Sequence, residues 1–126
     1  MSRNANYGTK IYSEISEGDR RIIFFDGDYV GSVARIPEKG SIKANFHAGG
    51  SAKKTGLVFR DKQIIDKIGK ELKKLDLFFV GIDIIGDYLT EINVTSPTGI
   101  KQVNKLNNVK LEQVFWDKLE AKYKIV

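Results

Sequence analysis

Apolar residues recur with two different spacings along this chain. Arg21-Ile22-Ile23-Phe24-Phe25 is dense in β-formers and is followed by the turn pair Asp26-Gly27. Tyr29 to Ile36 then alternates loosely, with Val30, Val33 and Ile36 apolar, so residues 21–36 predict a β-hairpin. Asp61 to Leu75 changes period: Ile64, Ile65, Ile68, Leu72 and Leu75 fall on one helical face with lysines opposite. Gly69 inside that helix costs about 1 kcal/mol against Ala, so packing must hold it. Leu77–Ile85 and Leu89–Val94 read as strands separated by Gly86-Asp87-Tyr88. Ser96-Pro97 reads as a helix start, Ser as N-cap and Pro as the first helical residue, with the helix running to about Leu106. Asn107-Asn108 interrupts, and a last helix is expected from about Val109 to Tyr123. It should bury Val114, Phe115, Leu119 and Tyr123, with Trp116 near its edge. Pro37 to Thr55 holds Gly40, Gly49 and Gly50 but few large apolar residues, and a loop of that length is expected to be functional or disordered. Residues 1–10 lack a period and are read as loosely ordered or as a strand without its neighbours. The elements together make an α+β chain, mainly antiparallel sheet with flanking helices.

Composition narrows the chemistry. A chain of 126 residues, 41% hydrophobic and 29% charged, has the composition of one globular domain. The absence of Cys excludes disulfides, thiolate metal sites and a Cys nucleophile, and the single His47 excludes a His-paired site within the chain. Lys and Arg number 21 against 16 Asp and Glu, a formal charge of +5. The basic residues are scattered and no nucleic-acid-binding signature accompanies them, so solvated helix faces and attraction for small anions are expected rather than nucleic acid. No stretch approaches the ~18 apolar residues of a membrane span, and the N-terminal MSRNANYGTK has no apolar signal core. A soluble cytoplasmic protein with no membrane partner is the expectation.

Strand register then isolates one candidate site. A two-residue turn at Gly86-Asp87 would pair Ile85 with Tyr88 and put Asp83 and Glu91 on opposite faces. A three-residue connection pairs Ile85 with Leu89, Asp83 with Glu91 and Gly81 with Asn93. The second register gathers Asp83, Glu91 and Asn93 on one face and Ile82, Ile84, Ile92 and Val94 on the other, and is preferred for that separation. Carboxylates opposed at ~5 Å repel by roughly 3 kcal/mol at an effective dielectric of about 20. A divalent cation would remove that repulsion, and two carboxylates with an amide oxygen are hard ligands suited to Mg²⁺. Spacing alone leaves the alternative of two solvated surface carboxylates and a structural Asn equally open.

These residues carry a family resemblance. Glu17-Gly18-Asp19-Arg20-Arg21, Ala34-Arg35-Ile36-Pro37, Gly49-Gly50, and the long run Val80-Gly81-Ile82-Asp83-Ile84-Ile85-Gly86 with Leu89-Thr90-Glu91-Ile92-Asn93-Val94-Thr95-Ser96-Pro97-Thr98-Gly99 resemble prokaryotic glutathione synthetase, an ATP-grasp ligase. The resemblance spans about residues 11–122 and corresponds to the C-terminal portion of the family enzyme, less than half of it. Residues 1–10 are the poorly matched segment, and 11–126 would be a partial ATP-grasp domain, its C-terminal lobe.

The resemblance implies a reaction: ATP phosphorylates the C-terminal carboxylate of γ-glutamylcysteine, and the amine of glycine attacks the acyl phosphate. It implies ATP and Mg²⁺ as cofactors, with Mn²⁺ as the alternative ion, and Asp83, Glu91 and Asn93 as metal ligands. Arg35 and Arg21 would be the catalytic residues facing the transferred phosphate, with Asp19 orienting them. Asp19 and Glu14, the latter in the hinge remnant Tyr12-Ser13-Glu14-Ile15, would contact the nucleotide. Residues Ile36 to Ser51 match a mobile loop closing over the site, from which Asn45 would reach substrate, while His47 is read as an exposed loop residue. Thr95, Ser96 and Thr98, around a helix start, would bind a peptide or glycine carboxylate. A sheet cut from a larger enzyme should also expose an edge, so a homo-oligomer or a complementing N-terminal chain is expected. An inactive ATP-grasp remnant or one subunit of a split ligase is the competing expectation.

Overall fold

The computed structural model describes residues 19–36 and 51–124. Five strands, β1 (Asp19–Phe25), β2 (Asp28–Ile36), β3 (Ser51–Lys54), β4 (Phe79–Ile85) and β5 (Tyr88–Asn93), form one antiparallel sheet in the order β3-β2-β1-β4-β5. Helix α1 (Phe59–Lys74) covers one face. Helices α2 (Ile100–Asn107) and α3 (Leu111–Tyr123) cover the other. The predicted α+β class, an antiparallel sheet with flanking helices, is the observed one.

The central strand β1 explains the layering. Its alternation sends Ile22 and Phe24 to the α1 side with Val80, Ile82, Ile84, Ile64 and Leu72. Ile23 and Phe25 go to the other side with Val33, Val103 and Leu111. A strand covered on both faces reads as the unbroken apolar run seen at 22–25. Each such side chain contributes roughly 1.5–3 kcal/mol on burial. Phe25 also meets Phe79 and Phe115 edge-to-face at 5.5 and 5.2 Å between ring centres.

The first hairpin turns at Asp26-Gly27 as predicted, with φ of 53° and 77°, both in the left-handed region that a two-residue turn of this kind requires. That turn also accounts for Gly69. A Cβ on Gly69 would stand 2.6 Å from the Gly27 carbonyl oxygen, so α1 can lie on the hairpin only where it has no side chain. Packing holds Gly69 in the helix, as its propensity cost demanded.

Several expectations are corrected. Residues 51–54 of the supposed Pro37–Thr55 loop form β3, whose pairing places Ser51 opposite Ile36. The helix expected from Ser96-Pro97 starts later: Gly99 is the N-cap, at φ 123°, and Ile100 the first helical residue. Ser96 caps nothing, because the Asn93 side chain organises residues 95 and 96 into a separate turn first. The last helix begins at Leu111, which is buried, whereas Tyr123 is 57% and Trp116 56% exposed. The helix ends at the hairpin rim, where Lys122 bonds Asp26 and Asp76 and leaves Tyr123 facing out. The expectations for residues 1–10 and 37–50 lie outside the described residues.

Candidate active site at one end of the sheet

The β4–β5 hairpin combines the two registers considered from sequence. Ile85 pairs with Tyr88 across a two-residue Gly86-Asp87 turn, Gly86 having φ 59°, so the expected Ile85–Leu89 pair is not formed. A bulge then inserts one extra residue in β5 between Leu89 and Glu91, and Asp83 pairs with Glu91 and Gly81 with Asn93 after all. Ile84 pairs with Leu89, which packs on the α1-side core, while Thr90 turns its hydroxyl to the Asp83 carbonyl oxygen at 3.2 Å. The bulge thus reconciles a tight turn with polar and apolar faces that remain separate. Asp83, Glu91 and Asn93 share one face.

What the hairpin sequence could not show is its neighbour. β1 pairs with β4 so that Arg21 stands opposite Asp83, and β2 pairs with β1 so that Arg35 stands opposite Asp19. All four side chains are nearly buried: Arg21 is 4% exposed, Asp83 3%, and Asp19 and Arg35 7% each. Arg21 forks onto Asp83, Nε donating to Oδ1 at 2.5 Å and Nη2 to Oδ2 at 3.0 Å. Arg35 Nη2 reaches the same Oδ2 at 2.8 Å. Arg35 also forks onto Asp19, through Nε to Oδ1 at 3.0 Å and Nη2 to Oδ2. The cluster therefore holds two cations and two anions, and bidentate geometry of this kind suits guanidinium.

The charges bias one another. Burial disfavours the Arg35 cation, but its bonds to Asp19 and the charge of Asp83 outweigh that, and its pKa rises. Burial lifts the Asp19 carboxyl above the ordinary aspartate value, against the opposing pull of Arg35. Arg21 spends Nη1 on the Thr98 carbonyl oxygen at 2.8 Å, tying the cluster to the segment before α2. Gly81 is necessary here: a Cβ would lie 2.8 Å from Pro97 Cβ and 3.2 Å from Arg21 Cδ.

Behind the sheet, a second ion pair steadies the hairpin. Arg20 forks onto the fully buried Asp61 and donates from Nη2 to the Gly86 carbonyl oxygen at 2.6 Å. Asp61 also accepts from the Val58 N–H, at the start of α1. Sequence reasoning gave neither residue a role. The signal was present in Asp61, an acid in the first helical turn on the same face as Ile64, Ile65 and Ile68.

The structure thus brings together Arg21, Arg35, Asp19 and Asp83, with Glu91 across from Asp83. Among the described residues the exposed Glu91 carboxylate makes no hydrogen bond or ion pair. The repulsion inferred between Asp83 and Glu91 is answered by two guanidinium groups, so it does not by itself require a cation. As a donor set for a hard dication, Glu91 and Asp83 fit. Asp83 uses three of about four acceptor directions, leaving one on Oδ1. Asn93 is different, because its Oδ1 accepts from the Thr95 N–H, the Thr95 hydroxyl and the Ser96 N–H at 3.1–3.3 Å. It would have to release part of that turn to ligate. The same bonds consume the N–H groups of Thr95 and Ser96 expected to hold a carboxylate, and Thr98 contributes its carbonyl to Arg21. Among the described residues no three His, Cys, Asp or Glu side chains converge on a metal position. Glu14 and Asn45 lie outside the described residues.

Comparison with known proteins agrees with this geometry. Residues 7–108 match the family described as prokaryotic glutathione synthetase, ATP-grasp domain. A glutathione synthetase of Mesorhizobium japonicum is 44% identical over 111 residues, 88% of this chain and 36% of the relative. That of Agrobacterium fabrum is 41% identical over 122 residues, 97% of this chain and 38% of the relative. The chain therefore spans little more than a third of the length of these relatives. A solved structure described as the ATP-grasp ligase PsnB complexed with minimal precursor superposes with a TM-score of 0.50 over 74% of this chain and 30% of the other, at 15% identity, a likeness of fold. With its five-stranded sheet, its β4–β5 hairpin and a family match covering most of its length, this chain belongs to the prokaryotic glutathione synthetase family of ATP-grasp proteins.

Proposed function

We propose that the chain supplies the phosphoryl-handling part of a ligase that joins γ-glutamylcysteine to glycine at the expense of ATP, through an acyl phosphate. The observation that carries this reading is the buried cluster of Arg21, Arg35, Asp19 and Asp83, with Glu91 paired to Asp83 at its open side. Membership of the family and the names of the relatives support the substrate assignment.

Each part has a chemical task in this reading. Asp83 and Glu91 would hold a divalent cation, Mg²⁺ or Mn²⁺, with Asn93 joining if its turn opens. When bound, the ion neutralises charge on the phosphates of ATP. Arg35 and Arg21 would bind the oxygens of the transferred group, since a planar guanidinium meets two oxygens at once and stays charged at every working pH. Asp19 holds Arg35 in place. Strand β2 ends at Ile36, the residue after Arg35, and β3 begins at Ser51, which pairs with Ile36.

The chain's share of its relatives sets the form of the test. Phosphate release would be followed with ATP, Mg²⁺, γ-glutamylcysteine and glycine, for the chain alone and with the N-terminal region of a relative supplied separately. Release that depends on both substrates in either mixture is the expected result. No substrate-dependent release in either would reject ligation and leave a non-catalytic member of the family.

A further inference from the structure

The β4–β5 hairpin is fixed at both ends. At its turn, Arg20 Nη2 donates to the Gly86 carbonyl oxygen at 2.6 Å and Arg60 Nε to that of Asp87 at 3.2 Å. At the other end Gly81 pairs with Asn93, whose side chain closes the turn at Thr95 and Ser96. Between those ends five residues of β4, 81–85, face the six of β5, 88–93, so one residue of β5 is always surplus. Only two positions for it keep Leu89 opposite Ile84 and Ile92 opposite Ile82. With Thr90 surplus, as observed, Glu91 stands opposite Asp83. With Glu91 surplus, Thr90 would take that place and the Glu91 carboxylate would leave Asp83. Apolar packing does not choose between the two, and the like charges of Asp83 and Glu91 favour the second.

The side-chain bond that spans the bulge is that of the Thr90 hydroxyl, which donates to the Asp83 carbonyl oxygen at 3.2 Å. Resting on the proposed role of the Asp83–Glu91 pair, we propose that Thr90 is a positioning residue: its hydroxyl pins the bulge at residue 90 and so presents Glu91 to Asp83 before any cation arrives. Thr90 is exposed, so its contribution is the hydrogen bond rather than burial. A short β-branched side chain with a hydroxyl suits the task, because it bonds nearby backbone and keeps strand propensity. Without that hydroxyl, Glu91 spends part of its time away from Asp83. A cation that needs both carboxylates then binds with an apparent affinity lowered by the fraction of molecules in the paired form.

The test uses the whole chain, first without metal. Cross-strand nuclear Overhauser contacts between backbone protons of residues 83 and 91, compared with those of 83 and 90, report the two forms. In the wild-type chain the 83–91 contact should be the stronger. Thr90→Val keeps the shape and removes the hydroxyl. It should shift the ratio toward the 83–90 contact about fivefold, the weight of one ordinary hydrogen bond, and speed exchange of the Glu91 amide by a similar factor. Thr90→Ser keeps the hydroxyl and should restore the wild-type pattern; strand propensity alone would not do so, since Val is a favoured strand residue. Mn²⁺ affinity, read from free Mn²⁺ by electron paramagnetic resonance, should fall in Thr90→Val by the fraction of molecules that lose the 83–91 contact, and recover in Thr90→Ser. An unchanged contact ratio in Thr90→Val, or a shift that Thr90→Ser does not reverse, would overturn this inference and leave the proposed function standing. A shift with no loss of Mn²⁺ affinity, or absence of Mn²⁺ binding by the wild-type chain, would instead overturn the cation role of Glu91 and leave Thr90 as the residue that sets the register.

Discussion

Replacing Asp83 by Asn removes one charge and almost no volume. In the wild-type chain its carboxylate accepts three charge-assisted bonds, from Arg21 at 2.5 and 3.0 Å and from Arg35 at 2.8 Å. An asparagine keeps one acceptor oxygen and turns an NH₂ toward guanidinium nitrogens, donor against donor. Arg21 would then lose the carboxylate it forks onto, and Arg35 one of its carboxylates, in a nearly dry site. Each guanidinium–carboxylate attraction at ~4 Å and an effective dielectric of about 20 amounts to roughly 4 kcal/mol. Losing two is offset by the several kcal/mol no longer spent desolvating Asp83, so the net loss should be about 3–5 kcal/mol. Urea unfolding at neutral pH would read it. Adding Arg35→Gln restores charge balance, so the double variant should be more stable than the sum of the single changes by at least about 1 kcal/mol. A loss below about 1 kcal/mol for Asp83→Asn, in a chain with native tertiary structure, would refute the view that Asp83 is the shared counter-ion.

Three further outcomes follow from other contacts. Gly69→Ala, which helix propensity alone would favour by about 1 kcal/mol, should instead destabilise by about 1–3 kcal/mol in urea unfolding, because its Cβ would meet the Gly27 carbonyl oxygen at 2.6 Å. Gly81→Ala should displace the Pro97 turn and the Arg21 side chain together, costing a similar 1–3 kcal/mol and shifting the Arg21 Nε–H resonance; an unmoved resonance would show that the turn does not bear on Arg21. Hydrogen bonds from Lys118 and Lys73 hold the Asp28 carboxyl below the usual aspartate range, so its contribution to stability is present above about pH 4 and is lost as the pH falls through the depressed folded value. Asp28→Asn should therefore flatten the acid side of the stability–pH curve, and an unchanged acid limb would count against those ion pairs.

The sheet was legible where local chemistry and tertiary demand coincide. Asp26-Gly27 specified its turn, and the 3.6-residue spacing of Ile64, Ile68 and Leu72 specified α1 and its buried face. The β4–β5 register was half legible. Separating polar from apolar faces correctly paired Asp83 with Glu91, but a bulge rather than a longer turn achieves it, and bulges leave no simple pattern in composition. Ser96-Pro97 misled because Asn93, three residues earlier, accepts from the Thr95 and Ser96 N–H groups, so the chain turns before it coils. The ion-pair cluster was not readable from spacing at all. Arg21 and Asp83 lie 62 positions apart and meet only because β1 sits beside β4; family resemblance pointed to Arg21 and Arg35, and neither periodicity nor charge did. The two guanidinium groups that answer the Asp83 charge were hidden for the same reason.

The central claim is that Asp83 and Glu91 together form the cation side of a phosphoryl-transfer site. Titration of Mg²⁺-ATP onto the chain supplemented with the N-terminal region of a relative, for wild type and for Glu91→Gln, tests it most directly. Glu91 is exposed and makes no hydrogen bond or ion pair among the described residues, so its replacement should leave stability within about 0.5 kcal/mol. The account predicts nucleotide binding weakened at least about tenfold by Glu91→Gln. Equal affinity in the two proteins would contradict it.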